Sequence, residues 1–89
     1  MAKRKTLKQN INAICEELFT EFIAASLYHN NVSEENAEAI FFSIAHLRTD
    51  FISRVSHKEP GLTAAKYFDD LIANFNAQAS EIADQINNL

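Results

Sequence analysis

The residues of this 89-residue chain that could carry chemistry are concentrated between positions 46 and 57. His46 and Asp50 are four residues apart, and His57 lies eleven positions after His46. Side chains four residues apart lie on one face of a helix, so an imidazole and a carboxylate at this spacing can share a proton or a cation. The pattern is compatible with a metal site, or with a general base whose imidazole is held by the carboxylate.

The same stretch has a simpler interpretation as the solvated side of a helix. At 100° per residue, His46, Asp50, Ser53 and His57 fall within about 60° of one another, on the side away from the apolar residues. A single exposed helix face forms no pocket and does not enclose a metal or a substrate on its other sides. We therefore expect these residues to be exposed and free of metal, and we keep a metal- or ligand-binding domain as an alternative.

The remaining candidates for catalysis have equally simple explanations. Glu17 and Glu21 form a carboxylate pair at helical spacing, but the Glu-x-x-His motif that accompanies such pairs in di-iron bundles is absent from the sequence. Cys15 lies on the apolar stripe of the first predicted helix, which favours a small buried thiol over a nucleophile. The sequence also lacks a glycine-rich phosphate loop and a Gly-x-Ser-x-Gly motif. We expect a protein that is not an enzyme and needs no cofactor.

Composition favours an all-α fold. Apolar residues make up 47% of the chain and charged residues 22%, the balance of an ordinary globular domain rather than a disordered one. One glycine and one proline are too few for a hairpin-rich sheet, whereas long helices need few such residues. A chain of this length has enough residues for one core.

The start of the chain is basic enough to imitate a signal peptide, but residues 11–28 argue against one. Acidic side chains interrupt this segment, so neither a signal peptide nor a membrane span is predicted. A single cysteine cannot form an intramolecular disulfide. We therefore expect a cytoplasmic protein without a membrane partner.

Two polar stretches, residues 28–36 and 57–65, divide the chain into three helical segments. The helices are predicted at residues 6–29, 33–58 and 63–87, with a basic, flexible arm at residues 1–5 before a single domain at 6–89. Thr6, Ser33 and Thr63 are the predicted N-caps, and Pro60 with Gly61 ends the second helix. Short connections make consecutive helices antiparallel neighbours, so the predicted fold is an up-down-up three-helix bundle that pairs into a dimer.

Each predicted helix has an apolar stripe of helical period. The seam of the third helix is expected to contain Phe68, Ile72, Phe75, Ala79, Ile82, Ile86 and Leu89. On the second helix, a sector of about 80° contains Ile40, Ile44, Leu47, Phe51 and Val55. The residues predicted to be almost fully buried are Leu18, Phe22, Ile44, Phe51, Phe68, Phe75 and Ile82.

Some large apolar residues fall outside these stripes. Phe42 and Ile52 widen the apolar arc of the second helix to about 200°, more than one core-facing helix needs. Phe19, Ile23 and Leu27 leave the stripe of the first helix at intervals of four. Exposed apolar patches on small domains usually bind a partner, and symmetric self-association is the commonest kind. These five residues are therefore the predicted partner-binding residues of a homodimer or of a small partner subunit.

Nucleic acid is a less favoured partner. Four of the eight basic residues lie among the first eight positions, and the rest of the chain is strongly acidic. The third helix contains Lys66 as its only basic residue, whereas a recognition helix needs a basic, donor-rich face. A nucleic-acid accessory protein that uses the basic arm is the remaining alternative.

Overall fold

The computed structural model describes residues 3–29, 32–57 and 63–89, which form three α-helices. They are α1 (Lys3–Tyr28), α2 (Glu34–Ser56) and α3 (Ala64–Asn87). Within those ranges the chain contains no strand, so the predicted all-α fold is confirmed. Across the same residues, none of the helices combines the length and the hydropathy that a membrane span requires.

Two of the predicted N-caps are confirmed. The Ser33 hydroxyl accepts a hydrogen bond from the Asn36 amide at 3.1 Å, and the Thr63 hydroxyl accepts one from the Lys66 amide at 3.2 Å. Each bond satisfies one of the amides that the first turn of a helix leaves without a partner. Pro60 and Gly61, predicted to end α2, lie outside the described residues.

The start of α1 differs from the prediction. The helix begins at Lys3, so Thr6 lies within it and is not the N-cap. Residues 3–5, the last three of the predicted arm, have helical backbone, and the first two lie outside the described residues. Lysine, arginine and leucine are good helix formers, and no glycine or proline separates Lys3 from the apolar stripe, so the helix continues toward the amino terminus.

Contacts between the helices show the predicted up-down-up order. Asn12 of α1 bonds to Arg48 of α2, and Phe19 packs on Phe41 with ring centroids 5.4 Å apart. Residue numbers therefore rise along α1 as they fall along α2. Phe51 and Phe75, 5.4 Å apart, together with the bond from Tyr67 to Arg54, show the same relation between α2 and α3.

The core lies along the line where the three helices meet. All five residues predicted for the stripe of α2 are buried, and Phe51 is the largest side chain that is fully enclosed. Leu18, Phe22, Phe75 and Ile82 are also buried, as predicted. The other buried residues of the core are Ile11, Cys15, Leu71, Ala79 and Ile86.

The predicted seam of α3 is wrong at its amino-terminal end. Leu71 is buried with 4% of its surface exposed, whereas Ile72, a member of the predicted seam, is 41% exposed. Phe68 packs against the core but is only partly buried. Leu71 lies about 40° to one side of Phe75 on the helix and Ile72 about 60° to the other, and the packing of the three helices encloses Leu71.

Candidate interaction surface

The polar side of α2 is a solvated helix face. His46 and His57 are exposed. The Asp50 carboxylate pairs with Arg54, whose Nε lies 3.2 Å away, and that guanidinium also stacks over the Phe51 ring at 4.9 Å from its centroid. Among the described residues Asp50 has no hydrogen bond to His46, and no three His, Cys, Asp or Glu side chains are close enough together to hold a metal ion.

The other residues considered for chemistry are the pair Glu17 and Glu21 and the single cysteine, Cys15. Glu17 and Glu21 are exposed on α1. Cys15 is fully buried, and burial raises the pKa of its thiol, an effect that the Arg48 guanidinium partly offsets. A thiol that remains protonated and enclosed is a poor nucleophile, so Cys15 acts as a small apolar core residue, as predicted.

A cluster of aromatic rings lies on the surface where α1 and α2 meet. Phe19 contacts Phe41, and the ring of Phe41 lies 6.2 Å from that of Phe42 in an edge-to-face arrangement. Phe41 is 50% exposed and Phe42 is 66% exposed. Ile23 and Leu27 continue the line of Phe19 along α1 and are also exposed. We call Phe19, Ile23, Leu27, Phe41 and Phe42 the α1–α2 patch.

The predicted partner-binding residues differ in exposure. Ile52 is partly buried and packs against the core, so it presents less apolar surface than Phe42 or Leu27. Phe19 is also partly buried, but its ring reaches the surface cluster through Phe41. Phe41 was not in the predicted set, although its position beyond the core sector of α2 was a usable signal. It connects the exposed rings of α2 to α1.

Apart from the α1–α2 patch, an apolar groove lies between α1 and α3. It has a volume of about 260 Å³ and includes Leu7, Ile14 and Ile72 in its wall. Its polar lining consists of Asn10 and Asn76. None of the described residues that line this groove is charged.

Comparison of the chain with family models, with curated proteins and with solved structures finds no match.

Proposed function

We propose that the protein acts through protein–protein contact rather than catalysis, and that the α1–α2 patch is the contact surface of a homodimer. The observation that carries this proposal is the group of exposed rings and aliphatic side chains on one surface of the bundle. Leu27 is 79% exposed, Phe42 66% and Ile23 56%. Apolar clusters of this kind on a small domain mark interaction sites, and a two-fold axis lets one patch serve both copies.

The burial energies of the patch are of the same order as the cost of forming a dimer. Burying a phenylalanine, leucine or isoleucine side chain contributes about 1.5–3 kcal/mol, and each copy supplies several. The opposing cost of association is about 4–15 kcal/mol. The summed burial energy of two patches therefore exceeds the lower limit of the association cost, about 4 kcal/mol, and approaches the upper limit, about 15 kcal/mol.

The shape of the molecule also suits an interface along the helices. Its Cα extents are 48 × 21 × 16 Å, so a long face has an area of roughly 800–1,000 Å². Each partner in a standard-sized interface contributes about 800 Å². A dimer through the α1–α2 face therefore has room for an interface of ordinary size.

Catalysis and metal binding have less support from the described residues. Asp50, the carboxylate of the predicted metal alternative, is paired with Arg54 on an open helix face. The groove between α1 and α3 is lined by apolar and carboxamide side chains. Within the described part of the chain, neither region combines a pocket with convergent ionisable groups, which a catalytic site requires.

The first experiment compares two isoleucines of similar exposure. Ile23 belongs to the patch and is 56% exposed, whereas Ile72 lies in the α1–α3 groove and is 41% exposed. Ile23→Glu, alone and combined with Phe42→Glu, should shift the protein from dimer to folded monomer, because a carboxylate would be buried in the interface. Ile72→Glu should remain dimeric. Light scattering at micromolar concentration measures the mass, and circular dichroism checks the fold.

Two results would contradict the proposal. The first is a wild-type protein that stays monomeric even at several hundred micromolar. The second is a dimer that Ile72→Glu dissociates while Ile23→Glu does not, which would move the interface to the α1–α3 groove.

A further inference from the structure

The α1–α2 patch lies in an acidic part of the chain that has no basic residue. From residue 16 to residue 47 the sequence contains six glutamates and no lysine or arginine. This segment includes all five residues of the patch, the second half of α1 and the first part of α2. With the histidines neutral at pH 7, every charge of the segment is therefore negative.

Three of these glutamates border the patch directly. Glu38 lies one turn of α2 before the two exposed phenylalanine rings, and Glu34 lies one turn further toward the start of the helix. On α1, Glu16 lies one turn before Phe19. All three carboxylates are on exposed residues. We call Glu16, Glu34 and Glu38 the acidic rim.

Two contacts fix the relative height of α1 and α2. Asn12 bonds to Arg48, and Phe19 packs on Phe41. The residue numbers of each pair add up to 60 (12 + 48 and 19 + 41), so a residue of α1 lies beside the residue of α2 that completes this sum. Arg48, the basic residue of α2 nearest to the patch, therefore lies on the Asn12 side of it.

The other two members of the rim lie beside the aliphatic residues of α1. By the same sum, Glu38 is level with residue 22 and adjoins Ile23, and Glu34 is level with residue 26 and adjoins Leu27. No lysine or arginine lies within one turn of the patch along either helix. The charges that border the patch on α1 and α2 are therefore carboxylates.

We infer that the homodimer forms against electrostatic repulsion between its two acidic rims, so that its affinity rises with ionic strength. This inference rests on the proposed function. A two-fold axis that sets the patch of one copy on the patch of the other also sets rim against rim, whether the helices run parallel or antiparallel across the interface. Two-fold symmetry therefore gives the rim no cationic partner.

Screening by salt sets the size of the effect. Packed helices lie about 8–10 Å apart, so carboxylates on facing rims come within roughly 15 Å of one another. At that distance in water, two like charges change an equilibrium constant by roughly 1.6-fold, and two rims form several such pairs. The Debye length falls from about 30 Å at 0.01 M salt to about 3 Å at 1 M. The Kd of the dimer should therefore fall about tenfold between these two salt concentrations.

Sedimentation of the wild type and of a rim variant at about 0.01 M and 1 M sodium chloride tests the inference. The rim variant combines Glu34→Gln with Glu38→Gln. At the lower salt it should dimerise about threefold more tightly than the wild type, because two charges are removed from each rim. Its Kd should change by no more than about twofold between the two salts. Circular dichroism checks that the variant is folded.

Glu17→Gln combined with Glu21→Gln is the matched control. These glutamates are exposed on the same half of α1, so the control removes the same charge as the rim variant. They lie about 120° or more around the helix from Phe19 and Ile23, on the side away from the patch. The Kd of the control should still fall by at least about fivefold between the lower and the higher salt.

The outcomes separate this inference from the proposed function. If the wild type stays monomeric at both salt concentrations, both fail. If it dimerises and Ile23→Glu dissociates it, but its Kd does not fall with salt, the dimer stands and the repulsion between rims is wrong.

Two further results would also overturn the inference while the dimer stands. The first is a rim variant that keeps the full salt dependence of the wild type, which would then reflect a general effect of salt on apolar association. The second is a control that loses as much salt dependence as the rim variant, which would assign the repulsion to net charge.

Discussion

The two exposed sides of α2 differ in how many of their side chains have interaction partners within the molecule. On the polar side, Asp50 is paired with Arg54, and that guanidinium covers the Phe51 ring. On the α1–α2 side, Phe42 presents a mostly exposed ring, and Arg48 and Glu34 have no ionic partner among the described residues. The polar side contains the residue types usually associated with chemistry, yet its charges are already paired. A candidate site is better judged by the interactions its groups still lack.

The strongest test of this comparison replaces phenylalanines of opposite exposure. Phe51→Ala should lower the free energy of unfolding by about 3–5 kcal/mol, because it opens a cavity in the core and removes the partner of Phe75. Phe42→Ala, the same substitution at the surface, should change monomer stability by about 0.5 kcal/mol or less while it weakens the dimer. Denaturant unfolding at low protein concentration gives both values.

Equal losses of monomer stability in Phe51→Ala and Phe42→Ala would show that the patch belongs to the core. The distinction between the core and the α1–α2 patch would then disappear.

A smaller effect is expected at the carboxyl end of α2. The Tyr67 hydroxyl of α3 lies within hydrogen-bonding distance of the carbonyls of Arg54 and His57, at 2.8 and 3.0 Å, and donates to these unpaired groups of the last turn. Tyr67→Phe should cost about 0.5–1.5 kcal/mol of stability and leave the dimer Kd unchanged. Thermal unfolding with light scattering checks both. A change in Kd would mean that α3 participates in the interface.

The smallest effect is expected within the polar side itself. Asp50→Asn removes an ion pair whose side chains are 31% and 47% exposed, so the loss should be about 0.2–1 kcal/mol and should fade at high salt. His46→Gln should leave stability unchanged, because the described structure gives His46 no hydrogen-bonding partner. Denaturant titrations in low and high salt make the comparison. A large, salt-independent loss in either variant would indicate a site on this side that binds something specific.

The buried face of α2 could be predicted from the sequence because the spacing of its apolar residues allows only one core-facing side. Ile40, Ile44, Leu47, Phe51 and Val55 occupy one narrow sector, and all are buried. On α3, Leu71 and Ile72 lie on either side of the stripe at similar angles. Which of them is buried depends on how the neighbouring helices pack, and that is a tertiary property that helical period alone does not contain.

The α1–α2 patch was predicted in part for the same reason. The wide apolar arc of α2 identified Phe42 and Ile52 as surplus to one core, and the structure leaves the first exposed and packs the second against the core. Helical angle places Phe41 and Ile52 about 20° apart, so angle could not separate them. Their positions along the axis relative to α1 decide the outcome. Helix boundaries were less predictable at α1, whose first turn lacks an N-cap signal.

Labelling of the Cys15 thiol can measure how often the helical bundle opens. The thiol is enclosed by the core, and burial raises its pKa so that it stays protonated. A thiol reagent therefore reaches it only in molecules where α1 has moved away from its neighbours. The rate of modification then measures the free energy of that opening. In the proposed dimer, association would stabilise the closed state by mass action, so the same sulfur atom would record it as slower labelling at higher protein concentration.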